Sequence, residues 1–478
     1  MVTNKLPCRT ILICLIACLF FSGCAKTGKV TSDTQSDTPL DQFALARYNP
    51  EDGSLDPSFG GDGKVLAGAS GFVAPSEVRD IAIDGSGRIV AAGFLRYGPS
   101  TGPYTKVFAL RRFNINGSLD ISFGSEGLAV VGFAPSTSEV ATSVVIDAND
   151  RIVVGGYAII DGGAQFALAR LKPDGTLDPT FGDDGKVLTN LTGSTSERIN
   201  AIVIDHLNRI VVAGFATVEG GMRFALAAYI PAGDLASNFA GDGIKITDIP
   251  KSTDEEANDI VSLTGGGFGM KVPVLIAAGT ARFGSNSVFV LIHYDENGEE
   301  INVEYKDYKS PFTVTDFDGS TSQGANAIID YPFYRTGIGW FGGWVVGGYA
   351  IVGGSYQFAL AKYTDANIRT GMDPDFGEEG KVLTDFTSSS GESVNDIVKD
   401  ANGKIVAAGA AIVQGKARFA VARYLSDGNL DYTFDNDGKV LTNFTSTVNE
   451  KAYAVAIDPK SGKIIVGGCA GVCGDPVE

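Results

Sequence analysis

Seven times between residues 43 and 468 the chain repeats one long phrase, and this repetition limits the folds open to it more than any other feature. The phrase begins with a strand-like word, Phe43-Ala-Leu-Ala-Arg-Tyr48, echoed at Phe108, Phe166, Phe224, Phe289, Phe358 and Phe419, 58 to 69 residues apart. A period that long implies several strands per unit. A turn-rich stretch follows, Asp52-Gly-Ser-Leu-Asp56-Pro-Ser-Phe59-Gly-Gly-Asp62-Gly63, and then a short apolar run, Lys64-Val-Leu66. Asp-Gly pairs favour tight turns because glycine accepts positive φ. After a variable segment come Asp80 to Asp84 and Arg88 to Gly93, separated only by Gly85-Ser86-Gly87, which reads as a hairpin. Each copy thus supplies a hairpin, strands a and b, and a second pair, strands c and d. No sustained helical period interrupts them.

A glycine ends strand b in every copy, at Gly93, Gly156, Gly214, Gly279, Gly348, Gly409 and Gly468. Glycine at such a place marks a bulge or a close backbone approach, as radially packed sheets require near their axis. The chain opens with a c/d pair and finishes with an a/b pair. Together these half-units complete one four-stranded sheet, which removes the open ends a linear array must cap. The reading is all-β: a seven-bladed β-propeller of four-stranded antiparallel blades, closed by pairing residues 43 to 66 with 452 to 468.

The FALARY word and the D-G-x-L-D-x-x-F-G-x-D-G-K-V phrase resemble the bacterial delta-60 repeat proteins. That resemblance implies a tandem, propeller-like β-repeat and brings no activity or catalytic residue. The fifth copy departs most: from Tyr294 it reads Asp-Glu-Asn-Gly-Glu-Glu-Ile-Asn-Val-Glu-Tyr-Lys and loses the Leu-Asp and Phe-Gly landmarks.

The first residues carry Lys5 and Arg9, an uncharged run from Ile11 to Phe21, and Ser22-Gly23-Cys24. The run is too short for a bilayer span, which takes roughly 20 residues, and reads as a signal peptide. The small residues before Cys24 look like a bacterial lipobox, with Cys24 the lipidated first residue of the mature chain. Cleavage after Ala25 is the rival reading. The expected organisation is a lipoprotein signal peptide at 1–23, a lipidated cysteine and polar tether at 24–41, and the propeller at 42–478. Ala25 rather than Asp after the cysteine suggests the outer membrane, by resemblance to enteric lipoproteins; a secreted or periplasmic protein is the alternative.

A net charge of −18 argues against nucleic-acid binding and against adhesion to anionic lipid, leaving the acyl chains as the membrane contact. Apart from Cys24 and the signal cysteines, only Cys469 and Cys473 remain, either as a structural disulfide or as two free thiols. Histidine is limited to His206, in an a/b turn, and His293. His293 stands where other copies carry Arg47, Arg112, Arg170, Lys362 and Arg423, and Ala228 fills that place in the fourth. This basic position is expected to serve an internal carboxylate or carbonyl. No G-x-S-x-G elbow, zinc motif or catalytic triad is recognisable. Asp435-Asn-Asp437-Gly438 begins like a calcium loop, but Thr433 and Phe444 would fill its first and twelfth positions, neither a suitable ligand. No cofactor or metal is assigned, and other calcium geometries stay open.

The largest departure from the repeat is the expanded a/b loop from Asp330 to Gly343, followed by Trp344, which holds both tryptophans. Aromatic residues on a rigid scaffold commonly mark a binding surface, so Tyr334, Arg335, Trp340, Phe341 and Trp344 are the candidates. The bland alternative is that Trp340 and Phe341 plug a gap between blades. The functional expectation is a non-enzymatic, monomeric binding or scaffold module at the bacterial envelope, its partner a protein or glycan. The alternative is an envelope polysaccharide hydrolase or lyase using carboxylates, with Arg335, in the propeller funnel. Residues 258 to 350 are where function is expected.

Overall fold

A computed structural model describes residues 42–68, 74–97, 105–263, 275–305, 308–336, 339–366, 369–386, 389–445, 448–471 and 473. The expected signal peptide (1–23) and the expected tether with Cys24 (24–41) lie outside them. Seven blades follow, numbered by their strand c. In blade 3 the strands a to d are Ser138–Ile146, Ile152–Ile160, Gly163–Leu171 and Lys186–Thr189, each antiparallel to the next. Blades 2, 4, 5, 6 and 7 repeat this order. Blade 1 joins the two ends: Lys64–Ala67 and Gln42–Tyr48 supply d and c, and Ile464–Gly471 and Asn449–Ile457 supply b and a. The register places Phe43 opposite Cys469 and Tyr48 opposite Ile464, which is the closure expected from counting half-units. The a strands neighbour one another in turn around the axis.

The repeated word explains how blades stack. Both faces of strand c are buried, and its side chains alternate between two seams. Phe166 and Leu168 enter the seam with blade 4, whereas Ala167 and Ala169 face blade 2, whose own Phe108 and Leu110 pack there. Large residues of one blade therefore meet small residues of the next. The core is accordingly seven seam clusters, one per pair of adjacent blades.

The recurrent glycine has the role its position suggests. Strand a carries a bulge opposite it in every blade, with Arg79, Thr142, Asn200, Asn258, Asn326, Asn395 and Tyr453 as the extra residues. A Cβ built on any of the seven glycines would sit 1.8–2.0 Å from a strand a carbonyl oxygen, such as Val140 O for Gly156. The bulge is used across the seam: Asn200 Nδ2 donates to Ala257 O at 2.8 Å, and Asn258 Nδ2 to Ala325 O at 2.7 Å.

The basic position of strand c is a second seam device. Arg170 pairs with Asp178 at 2.8 Å, lies over the Phe181 ring, and donates to Pro231 O of the next blade. Arg423 does the same with Asp431 and reaches Pro50 O across the closing seam. This position thus joins a carboxylate of its own blade to a carbonyl of the next. Where blade 4 replaces the pair with Ala228 and Ala236, Arg209 takes over and donates to Glu296 O at 2.7 Å.

Two further features tie the chain locally. Asp84, Asp147, Asp205 and Asp400 cap their a/b turns by accepting N–H bonds from residues two and four positions on. Cys469 and Cys473 form a disulfide, tying the chain just beyond the last strand back to the closing blade.

Candidate functional site over blades 5 and 6

Strands a and c of each blade run toward one face of the ring, so the a/b and c/d turns share that face. Three departures from the repeat all fall there, on adjacent blades. In blade 5 the c/d connection contains an added hairpin, Val303–Tyr305 with Tyr308–Ser310, before strand d resumes at Phe312–Thr315. The lost landmarks of the fifth copy thus mark an insertion, and the blade keeps its four strands. In blade 6 strands a and b lengthen to Ser320–Thr336 and Gly339–Val352, 17 and 14 residues, where blade 3 has 9 in each. Strand c of blade 6 also lengthens, to Ser355–Ala366, and pairs with an extra strand, Arg369–Met372. That strand lies beside Val303–Tyr305 of blade 5.

The raised sheet has a defined register. Tyr334 pairs with Phe341, Arg335 with Trp340 and Thr336 with Gly339 across the a/b hairpin, while Phe341 pairs with Ala366 on strand c. Four of the five sequence candidates, Tyr334, Arg335, Trp340 and Phe341, therefore come together at the tip of one hairpin. Its root is fixed by Tyr331, whose hydroxyl donates to Gly403 O and whose ring lies 4.7 Å from Lys362 Nζ and 4.9 Å from Lys399 Nζ. Burial, with the nearby Asp400 charge, pushes the Tyr331 phenol above its ordinary range.

Trp344 does not belong to this surface. It is fully buried in the seam of blades 5 and 6, stacked against Tyr363 and edge-on to His293 at 5.3 Å. The reason is positional: Trp344 is the first core residue of strand b, where the other blades carry Ile89, Ile152, Ile210, Leu275, Ile405 and Ile464. Histidine in place of the usual arginine leaves room in the seam, and the indole fills it. Burial pushes His293 down to about 4, so it is neutral near pH 7. Among the described residues Trp344 Nε1 has no hydrogen-bond partner. His206 is an exposed turn residue.

The axis holds a second set of titratable groups that the repeat alone did not single out. Asp80, Asp259 and Asp396 occupy the same strand a position in blades 2, 5 and 7. Each Oδ2 accepts an N–H from the following blade at 2.7 Å, from Val144, Ile328 and Val455 respectively, and each Oδ1 accepts the N–H of its own following residue. The partner blade carries Ser143, Ala327 or Ala454 at the equivalent site, small enough to admit the carboxylate. Each residue is partly buried. Desolvation raises Asp80 to about 6 and Asp259 to about 7, and raises Asp396 well above the usual range with help from the other two charges. Carboxylates bound in this way tie each blade to the next at the axis.

Strand a also carries a clamp. Glu139, Glu197, Glu255 and Glu392 each accept the N–H of the residue six before, and Gln323 takes the same role. A serine three before the Glu or Gln donates its hydroxyl to the same oxygen in blades 3, 5, 6 and 7. The S-x-x-E spacing was the available signal. Among the described residues no three histidine, cysteine or carboxylate side chains converge to hold a metal ion.

Three segments, 35–59, 148–181 and 401–434, match the family described as Domain of unknown function (DUF5122) beta-propeller. Each match ends on the phenylalanine of the D-x-x-F turn, Phe59, Phe181 or Phe434. No curated protein matches the sequence significantly. Similar solved structures include the Penicillium chrysogenum alpha-L-arabinanase, 10% identical over 68% of this chain and 91% of that one, with a TM-score of 0.37. A Dyadobacter fermentans protein of unknown function is 9% identical over 90% and 99% of the two chains, TM-score 0.37. Polysaccharide lyase Uly1 is 10% identical over 91% and 99%, TM-score 0.37. At that level of likeness none of them carries a ligand or a reaction over to this chain. Seven closed four-stranded blades and the family match together make the chain a β-propeller repeat protein.

Proposed function

We propose that the protein is a non-enzymatic binding module of the bacterial envelope, held to the membrane by acyl chains on Cys24, which engages a protein or glycan through the raised sheet over blades 5 and 6. One observation carries the reading: the three insertions that break the repeat lie side by side on one face. Irregular segments held by a rigid scaffold are where recognition residues concentrate, since the scaffold itself is fixed by packing.

The test is a glycan array together with capture from envelope extract, comparing the native chain with a Tyr334→Ala, Trp340→Ala variant of unchanged thermal stability. Loss of a specific ligand in the variant is the expected result; equal capture by both dismisses the sheet as the contact surface. For the anchor, palmitate labelling abolished by Cys24→Ala is expected, and unchanged labelling rejects it.

A further inference from the structure

A separate pocket lies on the opposite face of the ring, where strands a begin and strands b end. It has a volume of about 260 Å³ and is lined by residues of blade 5, by Asn326 and Tyr349 of blade 6 and by Met222 of blade 4. Two small residues make the room. Thr280 stands where other blades carry Phe94, Tyr157, Phe215 and Tyr349, and Gly324 has no side chain where blade 5 itself carries Glu256. A Cβ on Gly324 would lie 2.7 Å from Tyr349 Cε1 and 2.9 Å from Thr280 Oγ1, so glycine is what lets the Tyr349 ring and the Thr280 hydroxyl meet across the seam.

Glu256 is the distinctive group of the lining. The same position in blade 2 holds Glu77, whose carboxylate is paired at 2.8 Å with Arg79, the extra residue of that blade's bulge. In blade 5 the extra residue is Asn258, whose Nδ2 is bound to Ala325 O, and Glu256 has no hydrogen bond or ion pair among the described residues. Burial raises its carboxyl above the ordinary range against the attraction of Arg198, whose guanidinium lies 4.5 Å over the Tyr157 ring. Asp254 and Glu255 also line the pocket but are engaged, Asp254 by the Met222 N–H and Glu255 by the Ile249 N–H, the Ser252 hydroxyl and Arg223. At the rim stands Arg282, exposed and likewise without an ion pair among the described residues. The register sets Arg282 opposite Asp254 and Glu256 opposite Thr280, so the two unpaired charges share one side of the sheet as diagonal neighbours, roughly 7–8 Å apart at the backbone. Both act on the Tyr349 phenol, which burial, Tyr356 and the Glu256 charge push up and the Arg282 charge pulls down.

Opposite charges held on neighbouring strands of a small polar pocket, and not paired with each other, complement a ligand that carries both. We propose that this pocket binds a free α-amino acid. Its ammonium donates to the Glu256 carboxylate, and its carboxylate accepts from the Arg282 guanidinium and the Tyr349 hydroxyl, charge-assisted bonds at both ends. The Thr280 hydroxyl adds a further polar contact, and the ligand's side chain takes the remaining volume. A neutral sugar would leave both charges without a counter-charge in a largely desolvated space. The site is independent of the raised sheet and stands or falls separately from it.

The experiment titrates the full mature chain with each of the common L-amino acids in a calorimeter. Saturable binding of at least one is expected. For the tightest of them, N-acetylation, which removes the ammonium, and amidation, which removes the carboxylate, should each weaken binding by about tenfold or more. Glu256→Gln and Arg282→Gln should each weaken it by about tenfold without lowering thermal stability, while the Tyr334→Ala, Trp340→Ala variant binds as the native chain does. Arg282 is exposed and the ligand derivatives need no variant, so the test survives a Glu256→Gln protein that fails to fold. Equal binding of the acetylated or amidated form overturns recognition of both charges, and undiminished binding by a folded Glu256→Gln or Arg282→Gln protein overturns the site. Equally tight binding of glucose or putrescine overturns the ligand class. Absence of binding by every amino acid up to about 10 mM overturns the proposal.

Discussion

Gly156→Ala should destabilise the ring through a single methyl group. The new Cβ would lie 1.9 Å from Val140 O, 2.9 Å from its carbonyl carbon and 3.0 Å from Ala141 Cα. Non-bonded heavy atoms settle at roughly 3.5 Å or more, so the bulge must retreat by over an ångström. Retreat also pulls on Thr142, whose hydroxyl donates to Ile199 O of the next blade at 2.6 Å. Overpacking of this kind costs about 1–3 kcal/mol and the strained hydrogen bond about 1 more, giving a loss of about 2–4 kcal/mol. Urea unfolding followed by tryptophan fluorescence and circular dichroism measures it. Gly132→Ala is the control, because nothing lies within 4 Å of its Cβ; it should stay within about 0.5 kcal/mol of the native chain. If Gly156→Ala unfolds at the same urea concentration as Gly132→Ala, the close-approach account of the seven glycines is wrong.

Asp178→Ala leaves buried Arg170 without its carboxylate and should cost about 3–5 kcal/mol, whereas Arg170→Ala with Asp178→Ala, the state of Ala228 and Ala236 in blade 4, should cost well under the sum of the single changes. A double-mutant cycle with no coupling would refute this. Trp344→Ala should lose about 3–5 kcal/mol of stability and leave ligand capture intact in the surviving folded protein; loss of capture with full stability would return Trp344 to the binding surface. Stability should also fall as pH rises from about 4 to about 7. Asp80 and Asp259, raised to about 6 and about 7, hold protons in the folded chain that the unfolded chain has released, so their contribution is complete below the ordinary carboxylate value and lost through the raised ones. His293, lowered to about 4, acts oppositely, contributing above its ordinary value and losing that contribution as pH falls through 4, but the carboxylates outnumber it. A higher urea midpoint at pH 5 than at pH 8, with the difference reduced in Asp259→Asn, is the expected pattern; a midpoint independent of pH contradicts it.

Ring closure and the close approach at the glycines were legible in the chain because both follow from counting within the repeat. The internal role of Arg47 and its counterparts was legible for the same reason, since one group recurring in most blades rarely serves a single reaction. Relations between blades were harder to read. Asp80, Asp259 and Asp396 make sense only beside the small Ser143, Ala327 and Ala454 of the following blades, and no single copy displays that pairing. Trp344 misled because it adjoins the expanded loop; aligned with Ile89 and Ile152, it is a core position enlarged to fill the space left by His293. Turn direction then adds what spacing lacks, namely that the insertions of blades 5 and 6 share one face.

The most direct measurement exchanges the hairpin tip for the repeat's own turn. Residues 332–342 are replaced by Gly-Ser-Gly, as at Gly85 to Gly87, which keeps Tyr331 and the strands below it. The shortened protein should unfold at the native urea concentration and lose the glycan or protein ligand that the native chain captures. Undiminished capture by a correctly folded, shortened protein would contradict the claim that recognition resides where the repeat breaks.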